Sequence, residues 1–243
     1  MLITGAGSGI GRAASLAFLQ RNNQVVLTGR NVAKLNETKQ LSKQLDNAHV
    51  FPADVTDPEA VKMLFERIKS EFGKLDLVFN NAGINIIGPL EDLTFNQWKS
   101  VIDTNLTGAF LCTQEAFKMM KNQTPQGGRI INNGSISAYV PRPNAIAYTC
   151  SKHAITGLTR STSLEGRKYN ICCGQIDIGN VDTSMAKRMK SGTLQADGSL
   201  QIEPTFDLQH VVEAIIYMAS LPLEANVQFM TVMASQMPFI GRG

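Results

Sequence analysis

The chain has 243 residues, enough for one α/β domain or two small ones. Hydrophobic residues make up 43% and charged residues 18%, which supports a sizeable core and excludes a disordered chain. The net charge of +3 is mild and scattered, and the longest basic cluster, Lys187-Arg188-Met189-Lys190, is too short to argue for nucleic acid as a partner.

Met1-Leu2-Ile3-Thr4 reads as a buried strand. It is short for a central strand, and further residues are expected before Met1. Gly5-Ala6-Gly7-Ser8-Gly9-Ile10-Gly11 follows, then a helical pattern from Arg12 to Arg21. Strand, glycine turn and helix form the setting in which backbone N–H groups and a helix N-terminus cradle a phosphate. Glycine serves where φ is positive or where a Cβ would block the pyrophosphate. The phosphate loop of nucleoside triphosphatases does not fit, because no Gly-Lys-Ser/Thr follows.

Gln24 to Thr28 is a second strand ending in Gly29-Arg30-Asn31, and a helix follows from Val32 to Leu45. Val50-Phe51 continues a third strand into Pro52-Ala53-Asp54-Val55. Asp57-Pro58 is an N-cap and first-turn pair that starts a helix running to Phe72. Leu75 to Phe79 is a fourth strand, ending at Asn80-Asn81-Ala82-Gly83. A loop with Gly88-Pro89 leads to one long helix, Phe95 to Lys121, and then to a fifth strand, Gly128 to Asn133, with Gly134-Ser135 at its end. Pro141 and Pro143 break the chain before a helix from Ala147 to Glu165. Ile171 to Ile176 reads as a sixth strand. The stretch Asp182 to Asp207 is polar, holds Gly192, Gly198 and Pro204, and is expected to be a mobile lid. Asp207 caps a last helix to Ser220, and Val227 to Met233 is a last strand. Seven strands alternating with helices give an α/β fold, with a parallel sheet covered on both faces. No repeat or linker divides the chain, so 1–243 reads as a single domain.

The four cysteines form no C-x-x-C, and two of them are adjacent, so neither a disulfide framework nor a zinc site is expected. Three scattered histidines supply no metal constellation. No signal peptide is expected, and no apolar run reaches the ~18 residues of a membrane span. The expectation is a reduced, cytoplasmic protein without a membrane partner.

Tyr148-Thr149-Cys150-Ser151-Lys152 carries the chemistry. On a helix, positions four apart share a face, so the Tyr148 phenol and the Lys152 ammonium look into one space. A neighbouring cation favours phenolate and lowers the phenol pKa, which suits proton exchange at a carbinol oxygen. Taken alone, the pair fits a half-exposed ring and a solvated charge better than a catalytic pair. Ser135 also fits a strand-ending turn, Asn105 a structural amide, and Asn80-Asn81 a plain turn.

Thr4-Gly5-x-x-x-Gly9-x-Gly11, Asp54-Val55, Asn80-Asn81-Ala82-Gly83, Asn105, Ser135 and Tyr148-x-x-x-Lys152 occur in this order along the chain. In this set the sequence resembles the short-chain dehydrogenase/reductase family, in its roughly 250-residue branch. The resemblance implies a single doubly wound, Rossmann-type domain and hydride transfer between nicotinamide and a carbonyl or secondary alcohol. It implies Tyr148 as general acid/base and Lys152 as the residue that lowers its pKa and bonds the nicotinamide ribose. Ser135 would hold the substrate oxygen, and Asn105 would bind, through its backbone, a water that feeds protons to Lys152. Gly5, Ser8, Gly9, Ile10 and Gly11 would hold the pyrophosphate, Asp54 and Val55 the adenine end, Asn81 the adenosine ribose, and Val181 and Thr183 the nicotinamide. Two places depart from the family pattern: Ile178 stands where Pro is usual before Gly179, and Met233-Ala234-Ser235-Gln236 replaces a usual Asp-Gly-Gly.

About 20 residues past the glycine turn, an NAD site places an acid on the ribose 2′-hydroxyl. Here Gly29 leaves room, and Arg30 offers a planar fork suited to a 2′-phosphate, so NADP(H) is expected over NAD(H). Arg12 could assist or face solvent. The pocket walls are expected from the loop after Gly83, from Ile136 to Asn144 and from the lid, with Arg142, Lys187 and Arg188 able to favour an anionic group. The expected partner is a small carbonyl or alcohol substrate, and the expected state a homotetramer or homodimer. The alternative is a non-catalytic NAD(P)-sensing regulator on the same fold.

Overall fold

The computed structural model describes residues 1–182 and 192–240. In chain order these form β1 (Leu2–Thr4), α1 (Gly9–Leu19), β2 (Val25–Thr28), α2 (Val32–Leu41), β3 (Ala48–Val50), α3 (Pro58–Phe72) and β4 (Leu77–Asn80). Then come α4 (Phe95–Ile102), α5 (Gly108–Asn122), β5 (Gly128–Asn133), α6 (Ile146–Gly166) and β6 (Ile171–Ile178). The short β7 (Thr193–Leu194) and β8 (Leu200–Gln201), α7 (Leu208–Ser220) and β9 (Phe229–Val232) complete the chain. The seven long-range strands pair in parallel in the order β3-β2-β1-β4-β5-β6-β9, as expected for a doubly wound sheet.

Period-two alternation assigns each strand residue to one of two cores. Leu2, Val26, Val78 and Ile130 point to the face covered by α3 and α5, through Leu64, Phe65, Ile68, Cys112, Ala116 and Met120. Ile3, Leu27, Phe79, Ile131 and Ile176 point to the face covered by α1, α2 and α7, through Phe18, Leu35, Val211 and Ile215. Burying each such side chain contributes about 1.5–3 kcal/mol, so two-sided cover is what makes continuous apolar strands stable.

Local chemistry fixes the helix ends. The Asp57 carboxylate accepts from the Glu59 and Ala60 N–H groups, Pro58 opens α3, and Gly73 ends it at φ +70°. Thr94 and Gln97 form a reciprocal capping box on α4.

The helix expected from Phe95 to Lys121 is interrupted. Asp103–Thr107 forms a π-turn between α4 and α5, centred on Asn105. The first helix begins at Gly9, inside the glycine turn, rather than at Arg12. The second stops at Leu41, short of Leu45. The sixth strand runs on to Ile178. In the expected lid, the described part holds the antiparallel pair β7–β8, so it is not structureless, and Thr183, Lys187 and Arg188 lie outside the described residues.

Candidate active site

The carboxyl ends of the parallel strands β1, β4, β5 and β6 lie on one side of the sheet, and several candidate residues sit on the turns that leave them. At the end of β1 the chain turns at Gly5, φ +66°, and Gly9, φ +51°. A Cβ on Gly11 would overlap the Gly5 carbonyl oxygen, whereas one on Gly9 would meet nothing within 4 Å. Gly11 therefore lets α1 start tight against the strand, and Gly9 keeps the opening clear. Ser8 caps α1 without a side-chain bond, and the first turn has no acidic side chain. The N–H groups of Gly9, Ile10 and Gly11 have no partner within the helix and add to its positive end. An open glycine cradle at a helix N-terminus fits a pyrophosphate.

Asn81 braces this turn. Its Nδ2 donates to the Thr4 carbonyl at 2.9 Å, and its Oδ1 accepts from Asn133 Nδ2 at 2.9 Å. The Thr4 hydroxyl accepts from the Asn81 and Ala82 N–H groups. The Asn81 side chain thus ties β1, β4 and β5 together, and its N–H is held by Thr4. Val55 is likewise buried against Gly108, so its side chain belongs to the core.

At the β2 end, Arg30 is exposed, and its Nη1 lies 4.0 Å from Asp54 Oδ2. Asp54 Oδ1 accepts from both the N–H and the hydroxyl of Thr56. Arg12 does not reach solvent freely: it grips Glu37 with two nitrogens and donates to the Gly7 carbonyl and the Thr38 hydroxyl. That arginine is committed to bracing α1 on α2, whereas Arg30 makes only the loose contact to Asp54.

The structure brings Asn105, Ser135, Tyr148 and Lys152 to one site. The Asn105 amide accepts from the Ile84 N–H at 2.8 Å, and donates to the Ile84 carbonyl at 2.9 Å and to the Ser151 hydroxyl at 3.1 Å. This clip holds the loop after β4 against α6, and it is what the π-turn makes room for. Ser135 ends β5 in extended backbone, and its hydroxyl accepts from the Ser137 N–H. Tyr148 and Lys152 lie one turn apart on α6, with Lys152 Nζ 5.4 Å from the phenol ring centroid. Lys152 is buried, and its ammonium donates to the Asn133 carbonyl at 2.6 Å.

The expected lowering of the Tyr148 pKa is not what this arrangement gives. Burial raises the Tyr148 phenol above its usual value, against hydrogen bonding from Ser135 and the charge of Arg142. Burial also pushes Lys152 down to about 8, opposed by the charge of Asp177. The lysine is spent on a carbonyl and desolvated, so its cation does not dominate the phenol.

Other residues of the site carried no sequence signal beyond being polar. Asp177, on β6, accepts from the Ser135 N–H, from Gln175 and from the Tyr139 hydroxyl. Arg142 is partly engaged: its Nη2 pairs with Glu203 at 2.7 Å and donates to Asn180 Oδ1 at 3.3 Å, while its Nη1 is buried without a hydrogen-bond partner among the described residues. Glu203 also accepts from Asn180 Nδ2 and Gln195 Nε2, which knots the β7–β8 segment to the loops after β5 and β6. Val181 is buried and bridges Phe206 in that knot.

A family model described as short chain dehydrogenase matches residues 1–193. A 3beta-hydroxysteroid dehydrogenase of Mediterraneibacter gnavus is 37% identical over 190 residues, 77% of this chain and 68% of that protein. The crystal structure of a short chain dehydrogenase from Bacillus anthracis is 30% identical, with a TM-score of 0.84 over 97% of this chain and 95% of that one. The structure of ElxO with NADP bound is 28% identical, with a TM-score of 0.84 over 95% of each chain.

Proposed function

Because the chain belongs to the short chain dehydrogenase family, we propose that it is an NADP(H)-dependent oxidoreductase for a carbonyl or secondary alcohol substrate. The observation that supports this reading is the grouping of the Tyr148 phenol, the Ser135 hydroxyl and the buried Lys152 ammonium, which Asn133 and Asn81 link to the strand that leads into the glycine turn.

When bound, the nicotinamide supplies the hydride chemistry. Tyr148 gives a proton to the carbonyl oxygen in reduction and takes it back in alcohol oxidation. The Ser135 hydroxyl bonds the same oxygen. Lys152 keeps positive charge below the phenol and, with Gly9, Ile10 and Gly11 at the pyrophosphate, would hold the cofactor's ribose. Asn105 keeps Ile84 and Ser151 in place, so the wall beside Tyr148 stays fixed. Asp54 and Val55 would flank the adenine, the Asn81 backbone the ribose beside it, and Val181 and Thr183 the nicotinamide. Arg30 would face a 2′-phosphate, which favours NADP(H), with NAD(H) the weaker cofactor. A homotetramer or homodimer completes the proposal.

The test is reduced-nicotinamide consumption with NADPH or NADH over a panel of ketones, acyl carbonyls and steroid ketones, the last prompted by the hydroxysteroid relative. Turnover of a carbonyl with NADPH is expected. Tight cofactor binding with no turnover anywhere would support the sensing alternative instead.

A further inference from the structure

Asp177 is fully buried near the end of a strand covered on both faces, where an unpaired charge is costly. Burial raises its pKa, and the hydrogen bonds it accepts and the charge of Lys152 oppose that rise. Oδ1 accepts from the Ser135 N–H at 3.0 Å and from Gln175 Nε2 at 2.7 Å, and Oδ2 accepts from the Tyr139 hydroxyl at 2.7 Å. All three partners are donors, which an ionised carboxylate accepts without conflict. A Cβ on Gly134 would overlap Oδ1, so the glycine before Ser135 makes the space this carboxylate fills. The strand register puts Asn133 opposite Ile176, and Lys152 is bonded to the Asn133 carbonyl. The carboxylate and the ammonium thus flank the end of β5 from its two neighbours, β6 and α6.

We propose that Asp177 is a positioning residue of the reaction: its buried carboxylate fixes the Ser135 backbone and sets a negative charge at the end of β5, beside the proton-transfer residues Tyr148 and Lys152. The proposal rests on the assignment of those two as the proton-transfer pair. Its negative charge favours the protonated form of both groups. Other groups among the described residues also act on the three. Arg142 acts on Tyr148 from the loop after β5, opposing Asp177, and Ser135 bonds the phenol. Tyr139 meets Asp177 from the same loop, with Thr231 of β9 and Arg160 of α6 acting on that tyrosine. Lys152 feels Asp177 as its charged neighbour, against its own desolvation. Reduction needs the proton on Tyr148 and the charge on Lys152, so Asp177 extends the reductase's working range to higher pH.

The measurement is the pH profile of kcat/KM for carbonyl reduction in wild type, Asp177→Asn and Tyr139→Phe, with cofactor Kd recorded beside it. The alkaline limb of Asp177→Asn is expected at lower pH, leaving on the order of a tenth of wild-type kcat/KM near pH 9 and close to all of it near pH 6. Tyr139→Phe, which removes a neutral donor and keeps the charge, is expected to hold the wild-type limb. Where Asp177→Asn does not fold, the paired change Gly134→Ala with Asp177→Ala fills the vacated space with a methyl and is expected to show the same limb shift. An unmoved limb, a loss uniform across pH, or an equal shift in Tyr139→Phe overturns the proposal, as does loss of the fold in both charge-removing variants. Failure of the underlying reading looks different, since Tyr148→Phe would then stay active.

Discussion

Arg30 is where a single side chain decides most. Its nearest charged group among the described residues is Asp54 at 4.0 Å, a loose and exposed contact that contributes little. Swinging to a 2′-phosphate therefore forfeits almost nothing. A hydrogen bond to a charged group contributes ~1.5–3 kcal/mol, so Arg30→Ala should cut the NADPH-over-NADH ratio of kcat/KM by about 10- to 150-fold. A wild-type preference for NADH, or an unchanged ratio in the variant, would remove the cofactor assignment and leave the family intact. The sequence points to this residue because glycine followed by arginine stands where an acid would serve NAD. The environment of Tyr148 was not legible: helical spacing reveals that a lysine is near, but not that both groups are desolvated or that Asp177, 29 positions later by residue number, faces them. Through-space neighbours of that kind belong to the sheet order and not to the local pattern.

At the scale of elements, the glycine turn, the caps of α3 and α7 and all seven parallel strands were readable, because each rests on residues close in sequence. The π-turn was not, since its cause lies in a loop 21 residues away, where Ile84 takes both ends of the Asn105 amide. Asn105→Ala leaves those groups unsatisfied, and a stability loss of about 1–3 kcal/mol is expected in urea unfolding, together with a fall in kcat. A wild-type midpoint would contradict the clip. The Arg142–Glu203 knot makes a second element-scale prediction. Burial by itself raises the Glu203 pKa, yet the bonds from Arg142, Asn180 and Gln195 prevail and hold it at about 2. A carboxyl depressed on folding contributes stability that is present above its unfolded pKa and is lost as pH falls through the folded one. Glu203→Gln should therefore cost about 3 kcal/mol at neutral pH and progressively less between about pH 4.5 and 2. A loss independent of pH in thermal unfolding would mean that the knot is held by shape rather than by charge.

At the scale of the whole molecule, three helices carry exposed apolar side chains. Phe95 on α4, Phe110 on α5 and Leu164 on α6 are 75%, 45% and 61% exposed, on the helices expected to pair across a two-fold axis. Light scattering should give a dimer or tetramer mass at micromolar concentration, and Phe110→Asp should shift the population toward monomer; a monomeric wild type would contradict the assembly. Among the described residues no helix is long and apolar enough to cross a membrane, and no group of three metal-ligating side chains is present. The account as a whole stands on Tyr148 transferring the proton. The most direct test is steady-state turnover and cofactor binding in Tyr148→Phe, which removes one hydroxyl and keeps the ring. The variant is expected to lose ~10²–10⁴-fold in kcat while NADPH Kd stays within about threefold. Retention of more than about a tenth of wild-type turnover would contradict it.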